Sequence, residues 1–246
     1  MPASTCGTRT SSEAAAAGRP SGSDVHAIRC RSCGEAQPPA FFCRSCDAMQ
    51  ALPQDTDYFA VLGLPPHPGL DGVDLDRRYY ELSRKLHPDR YQTRPVAEQR
   101  ASVQATALLN AAHRTLRDVE ARGRYWLVRS GDSLARENRS VPPRLAAYVF
   151  DVQEKLADVR ASVNGAASAL RSELVETQRE LSERLDRQRA MLTDMLRGWP
   201  AEDLAAGASL AADERRPAAL RELKNVLSEL SYLRTLDRDL QNALGA

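Results

Sequence analysis

The chain has 246 residues and a mass of 27.1 kDa, enough for one or two compact units with appendages. Its 34 Lys and Arg nearly cancel 33 Asp and Glu, and a net charge of +1 argues against affinity won by neutralising many phosphates, so nucleic acid is not an expected partner. Aromatic residues are 5% of the chain against 42% hydrophobic, which excludes an all-β fold in favour of helices packed through Leu and Ala seams, and no apolar run approaches the roughly 18–20 residues that span a bilayer.

Residues 1–27 are rich in Ser, Ala, Thr and Gly with few large apolar side chains, and read as a disordered tail. Its Arg9 and Arg19 resemble the composition of an organellar transit peptide, against which stand Glu13, Asp24 and the absence of an amphipathic pattern. There is no apolar segment of the kind that marks secretion.

Residues 28–50 form a cysteine-rich module, Cys30-x-x-Cys33, nine intervening residues, then Cys43-x-x-Cys46. Each CxxC points two thiolates at one ion, and four match the tetrahedral, soft-ligand preference of zinc. With every position filled by protein, such an ion is structural. Two disulfides, a redox-active CxxC pair and an iron centre of the rubredoxin kind are the alternatives. Phe41 and Phe42 are expected to cover the metal site, an exposed Phe serving as a docking anchor being the alternative, and Cys6 stands at no ligand spacing.

Four helices are predicted over 55–132. Tyr58 to Leu62 is stopped by Gly63 and Pro65. Asp74 to Leu86 carries the stripe Leu75, Tyr79, Leu82, Leu86 and ends at Pro88. Val96 to Arg117 turns Val103, Leu109, Ala112 and Leu116 towards a core, and a fourth helix runs from Glu120 to Arg129. Between the second and third lies His87-Pro88-Asp89, preceded by Arg77, Arg78, Arg84 and Lys85 on the face away from the apolar stripe. An acid/base couple of His87 and Asp89 is disfavoured, because Pro88 is expected to splay the two side chains and no nucleophile stands nearby in sequence. The plain alternative is an exposed turn beside a solvated basic face.

Two prolines, Pro142 and Pro143, open the last region, 141–246, which is heptad-like almost throughout. Leu145, Val149, Val152, Leu156, Val159 and Val163 form one seam. Leu170, Leu174, Leu181, Leu185, Gln188, Leu192 and Met195 form a second; Leu223, Val226, Leu230, Leu233, Leu240 and Leu244 form a third. Three such helices hide their stripes against one another, with Trp199, Leu204 and Leu210 capping one end. On the first bundle helix Ala147, Asp151, Glu154 and Asp158 lie opposite the seam with Phe150 at their flank, and Tyr232 points away from the seam of the last helix. An exposed aromatic beside carboxylates is the composition of a binding hot spot.

The segments DTDYFAVLGLP, RRYYELSRKLHPDRYQ, ALLNAAHRTLRDVEARGRYWL and AYVFDVQEKLADV together resemble the HscB family of J-domain co-chaperones of iron–sulphur cluster assembly, and the cysteine pair is similar to that of members with an added cysteine module. The resemblance implies an all-α fold: a four-helix J-domain followed by an antiparallel three-helix bundle. It also implies a non-enzyme that raises the ATPase activity of a DnaK/HscA-class chaperone through His87, Pro88, Asp89, Arg77, Arg78, Arg84 and Lys85. The bundle is then expected to hold the iron–sulphur scaffold protein through Ala147, Phe150, Asp151, Glu154, Asp158 and Tyr232. One structural zinc on Cys30, Cys33, Cys43 and Cys46, a monomer or weak dimer, and a cytoplasmic location, with the mitochondrial matrix as alternative, complete the expectation. Ala146 and Ala147 depart from the larger apolar residues usual there, which removes contact area, whereas Arg90, His113 and Arg114 are permissible. A J-domain adaptor with another client and a zinc-ribbon scaffold for nucleic acid are the competing readings; Arg29, Arg31 and Arg44 against Glu35 and Asp47 are too small an excess for the latter.

Overall fold

The computed structural model describes residues 27–134, 141–161, 167–200 and 210–245, with side chains left undescribed at 167–169 and 210–216. The expected tail and the positions of Val163, Leu204 and the Leu210 side chain lie outside that description. Among the described residues the fold is all-α apart from one small hairpin: β1 (Ile28–Arg29) and β2 (Ala36–Gln37) pair antiparallel, Ile28 opposite Gln37. Seven α-helices follow among these residues: α1 (Tyr58–Leu62), α2 (Gly72–Leu86), α3 (Val96–Arg117), α4 (Val119–Arg129), α5 (Ala146–Ala161), α6 (Ala167–Arg197) and α7 (Leu210–Leu244). No described helix is long and apolar enough to cross a membrane.

Helix ends follow from local chemistry. The Asp57 carboxylate accepts from the Phe59 N–H at 3.0 Å to start α1, and Gly63, at φ 65°, ends it in the left-handed region where a β-carbon is disfavoured. Asp57 also accepts from the Tyr125 hydroxyl at 2.9 Å and from Arg129 Nε at 2.8 Å, so the short α1 is tied to α4. Asp71 and Asp118 cap α2 and α4 in the same manner.

Leu75, Leu86, Leu109, Ala112 and Leu116 are buried as the stripes predict, but Val103 is not: 56% of it is exposed, and Ser102, Ala105 and Leu108 hold the inner positions. The bundle seams are largely inside, and α7 packs against α4, α5 and α6. That wider burial explains Tyr232, which is half-buried against the core rather than turned outward.

The four-helix unit and the bundle share one core, joined along α4. A β-carbon on Gly123 would lie only 3.3 Å from Leu227 Cδ2 and 3.6 Å from Leu192 Cδ1, so glycine lets α4 approach α6 and α7 closely. Trp126 of α4 meets Trp199 edge-on with ring centres 5.8 Å apart; Trp199 therefore seals this junction, not merely an end of the bundle. Glu120, 1% exposed, takes Arg234 at 2.8 Å, Arg189 at 3.2 Å and Arg124 at 3.7 Å, joining α4, α6 and α7 in one ionic knot. Lys224 meets Asp132 at 2.8 Å on the flank.

The loop before α2 clamps the same joint. His67 Nδ1 accepts from the Gly69 N–H at 3.0 Å, which leaves Nε2 to donate to the Trp199 carbonyl at 3.2 Å. A β-carbon at Gly69 would meet the Arg197 Cα and the Leu196 carbonyl at 2.7 Å, and backbone cannot swing aside as a side chain can. Gly69→Ala is therefore expected to lower stability by about 1–3 kcal/mol, read as a lower urea midpoint with the slope unchanged. An unaltered midpoint would mean that the loop does not press on α6.

Candidate functional site

The loop between α2 and α3 is built by closing off the free carbonyls at the end of α2. The Ser102 hydroxyl, fully buried, donates to the Leu86 carbonyl at 2.6 Å, joined by Thr106 at 3.2 Å. The Tyr91 hydroxyl donates to the Lys85 carbonyl at 3.3 Å and Arg90 to the Arg84 carbonyl at 3.4 Å. Three of the four carbonyls that helix termination would leave unpaired, those of Arg84, Lys85 and Leu86, thus have donors, and the loop is braced from within the chain.

In that loop His87 ends α2 and Pro88 opens a 3₁₀ turn over Pro88–Tyr91. The Asp89 N–H donates to His87 Nδ1 at 3.3 Å, and among the described residues Nε2 has no hydrogen-bond partner. His87 Nδ1 and Asp89 Oδ2 are 3.5 Å apart, so Pro88 does not splay the pair as the sequence reading expects; the tight 3₁₀ turn folds the two side chains towards each other. Both are open to water, 55% and 71% exposed, and offer a surface for contact rather than an enclosed reaction site.

The basic face is uneven. Arg77 is paired with Asp74 and, at 3.3 Å, with Glu81, which also reaches Arg78 at 4.0 Å. Among the described residues no carboxylate lies within ion-pair distance of Arg84 or Lys85, so positive charge concentrates next to His87. On the neighbouring flank of α2, Asp76 holds His113 at 2.8 Å and also pairs with Arg117. Arg117 first and His113 second keep the Asp76 carboxyl below the usual carboxylate range. Tyr79 stacks on His113 with ring centres 4.0 Å apart. This clasp between α2 and α3 is not apparent in the sequence, where His113 and Asp76 stand 37 residues apart.

The four cysteines converge. Sγ atoms of Cys30 and Cys46 are 3.6 Å apart, those of Cys33 and Cys43 likewise, and all four lie within 4.8 Å of one another. Backbone N–H groups of Ser32 and Ser45 point at Cys30 and Cys43 Sγ at 3.3 and 3.4 Å, the arrangement of knuckles that steady thiolates. The Cys30 thiol is drawn down to about 6, chiefly by the Cys33 N–H with Ser32 and the adjacent thiols assisting. Cys33 is pushed up to about 12: the Glu35 N–H favours its thiolate, but the thiols of Cys46, Cys30 and Cys43, together with burial, outweigh it. Sulfurs this close cannot all ionise without a cation among them. The donor set therefore fits one soft metal ion, and these cysteines are free rather than disulfide-bonded.

Two buried glutamines, unremarked in the sequence, knit the knuckles together. Gln37 accepts from the Arg44 N–H at 2.8 Å and donates to the Phe42 carbonyl at 3.3 Å. Gln50 donates to Cys30 Sγ at 3.3 Å and accepts from the Arg31 N–H. Phe41 enters the shared apolar core, and the Phe42 ring lies beneath Lys85 of α2, with Nζ 5.6 Å from its centre. The module is thus seated on the helix that carries the loop.

On α5, Ala147, Phe150, Asp151, Glu154 and Asp158 are all exposed, and Phe150 keeps 72% of its surface open. Lys155, one turn beyond Asp151, pairs with it at 3.0 Å and reaches Glu173 at 3.9 Å, so the acidic face carries an internal cation. Tyr148 is turned away from this face, with Arg184 stacked over its ring at 4.3 Å. Tyr232 packs on the bundle core and does not share the exposure of Phe150.

Comparison with known proteins bears on these surfaces. The DnaJ domain family model matches residues 57–125. Co-chaperone protein HscB homologs of Bordetella pertussis and Bordetella bronchiseptica are each 36% identical over 135 residues, 53% of this chain and 79% of theirs. Among solved structures, human co-chaperone protein HscB has a TM-score of 0.55 at 23% identity, covering 87% of this chain and 98% of that one. Chaperone HscB from Vibrio cholerae has a TM-score of 0.53 at 22% identity, covering 76% and 99%. These two share the fold. With an exposed His-Pro-Asp loop between α2 and α3, a helical bundle fused to it, and 36% identity over 79% of the length of the Bordetella homologs, the chain belongs to the HscB family of J-domain co-chaperones.

Proposed function

We propose that this J-protein stimulates ATP hydrolysis by a DnaK/HscA-class chaperone and delivers to it an iron–sulphur scaffold protein for cluster transfer. The observation that carries the reading is the braced, solvent-facing His87-Pro88-Asp89 loop with the unpaired charges of Arg84 and Lys85 beside it. Arg77 and Arg78 extend the same face. Hydrolysis takes place in the partner, and the chain supplies only contacts. In this division residues 55–132 engage the chaperone, residues 141–246 the scaffold, and residues 28–50 hold zinc. The place of action in this reading is the cytoplasm, with the mitochondrial matrix as the alternative.

For the scaffold, Ala147, Phe150, Asp151, Glu154 and Asp158 form the grip, with Phe150 as its apolar anchor. Tyr232 contributes through the part of its ring left open. Paired variants separate the two surfaces. His87→Gln should abolish stimulation of an HscA-type ATPase and leave scaffold affinity unchanged in calorimetry. Phe150→Ala with Asp151→Ala should do the reverse, weakening the scaffold complex about tenfold or more at unchanged helicity, the effect of losing an interface hot spot. Full stimulation by His87→Gln would refute the chaperone assignment; unchanged scaffold affinity in the double variant would favour an adaptor with another client.

Zinc is the ion that four thiolates in two CxxC knuckles suit best, as a closed structural site. Elemental analysis of the purified chain is expected to give about one zinc per chain, lost in Cys30→Ser. Iron in its place, or no bound metal under reducing conditions, would contradict this.

A further inference from the structure

Phe42 is where the cysteine module meets α2, and its place is set from both sides by the metal-binding knuckle. The next residue is Cys43; the Phe42 carbonyl accepts from buried Gln37, which in turn accepts from the Arg44 N–H; and Phe42 bridges to Met49 across the turn. Its ring supports the ammonium of Lys85, two residues before His87, while the Lys85 carbonyl is held by Tyr91. Among the described residues Lys85 has no carboxylate partner.

We propose that the cysteine module is part of the chaperone-docking face, and that a soft metal ion held by Cys30, Cys33, Cys43 and Cys46 fixes Phe42 under Lys85 so that this cation is presented beside His87. The inference rests on the reading of the His-Pro-Asp loop as the chaperone contact. The partner surface it fits is an acidic patch of the ATPase chaperone, continuous with the patch that receives Arg84 and the loop. Without the ion, the crowded thiols relax apart, the Phe42–Gln37 clamp loosens with them, and the Lys85 side chain is released to sweep freely through solvent. Lost pre-organisation then weakens docking although no residue of the loop has changed.

The test uses the full chain in reductant, with and without a chelator. It is read by amide exchange over residues 82–91 and by calorimetric affinity for the ATPase chaperone. Removing the metal should speed exchange and weaken the complex about two- to fivefold, the scale set by an exposed cation–π contact. Phe42→Leu, which keeps an apolar residue against Met49 but removes the π face, should retain its metal in elemental analysis and show the same weakening, with chelation adding nothing. Identical exchange with and without metal, or a variant as sensitive to chelation as the parent, would overturn the proposal. Metal-dependent exchange in a chain that does not bind the chaperone would instead overturn the docking reading on which it rests.

Discussion

The close approach of α4 to α6 and α7 is the constraint on which this molecule turns. Without a side chain at Gly123 the Leu192, Leu223 and Leu227 methyl groups reach the α4 backbone, and burial there adds to the Trp126–Trp199 contact a few residues on. Glu120 is then drawn into the same seam, where a carboxylate is tolerable only because arginines from its own helix and both facing helices surround it. The Gly69 loop closes over the end of α6. Two units that the sequence separates by a proline boundary therefore meet in one core.

That joint gives the proposed function its geometry. The His-Pro-Asp loop stands at one end of α2, braced by Ser102 and Thr106 of α3, and the exposed face of α5 stands on the bundle. If the joint is stiff, a scaffold held on α5 keeps one position relative to the chaperone contacted by the loop, and the chain works as a spacer of set shape. The basic face follows a similar economy of means: Asp74 and Glu81 quiet Arg77 and Arg78, while Arg84 and Lys85 stay unneutralised where the loop begins.

Patterns that depend on neighbours in the chain were legible in the sequence. The Leu75 to Leu86 stripe, the bundle seams and the two CxxC pairs all stand at spacings that helices or knuckles dictate, and the structure places them accordingly. What was not legible depends on partners far away. Val103 lies about 120° round the helix from Leu109, and the position it was assigned to belongs to Ser102, a polar residue buried because Leu86 supplies an acceptor. Gln37 and Gln50 look like solvent residues until the knuckles surround them. Tyr232 is half-buried because a helix packed on three sides buries a wider arc than one heptad seam. His87 and Asp89 approach each other because the 3₁₀ turn, not Pro88 alone, sets their geometry.

A distance measurement in solution tests the stiffness of the joint most directly. Spin labels carried on non-natural residues at Gln92, beside the loop, and Gln153, on α5, leave the native cysteines untouched; both positions are exposed. Pulsed dipolar spectroscopy on the metal-loaded chain is predicted to give one narrow distance distribution, unchanged when either partner is added. A broad or bimodal distribution in the free chain would show the two units moving independently, and would contradict an account in which α4 locks the chaperone contact to the cargo face.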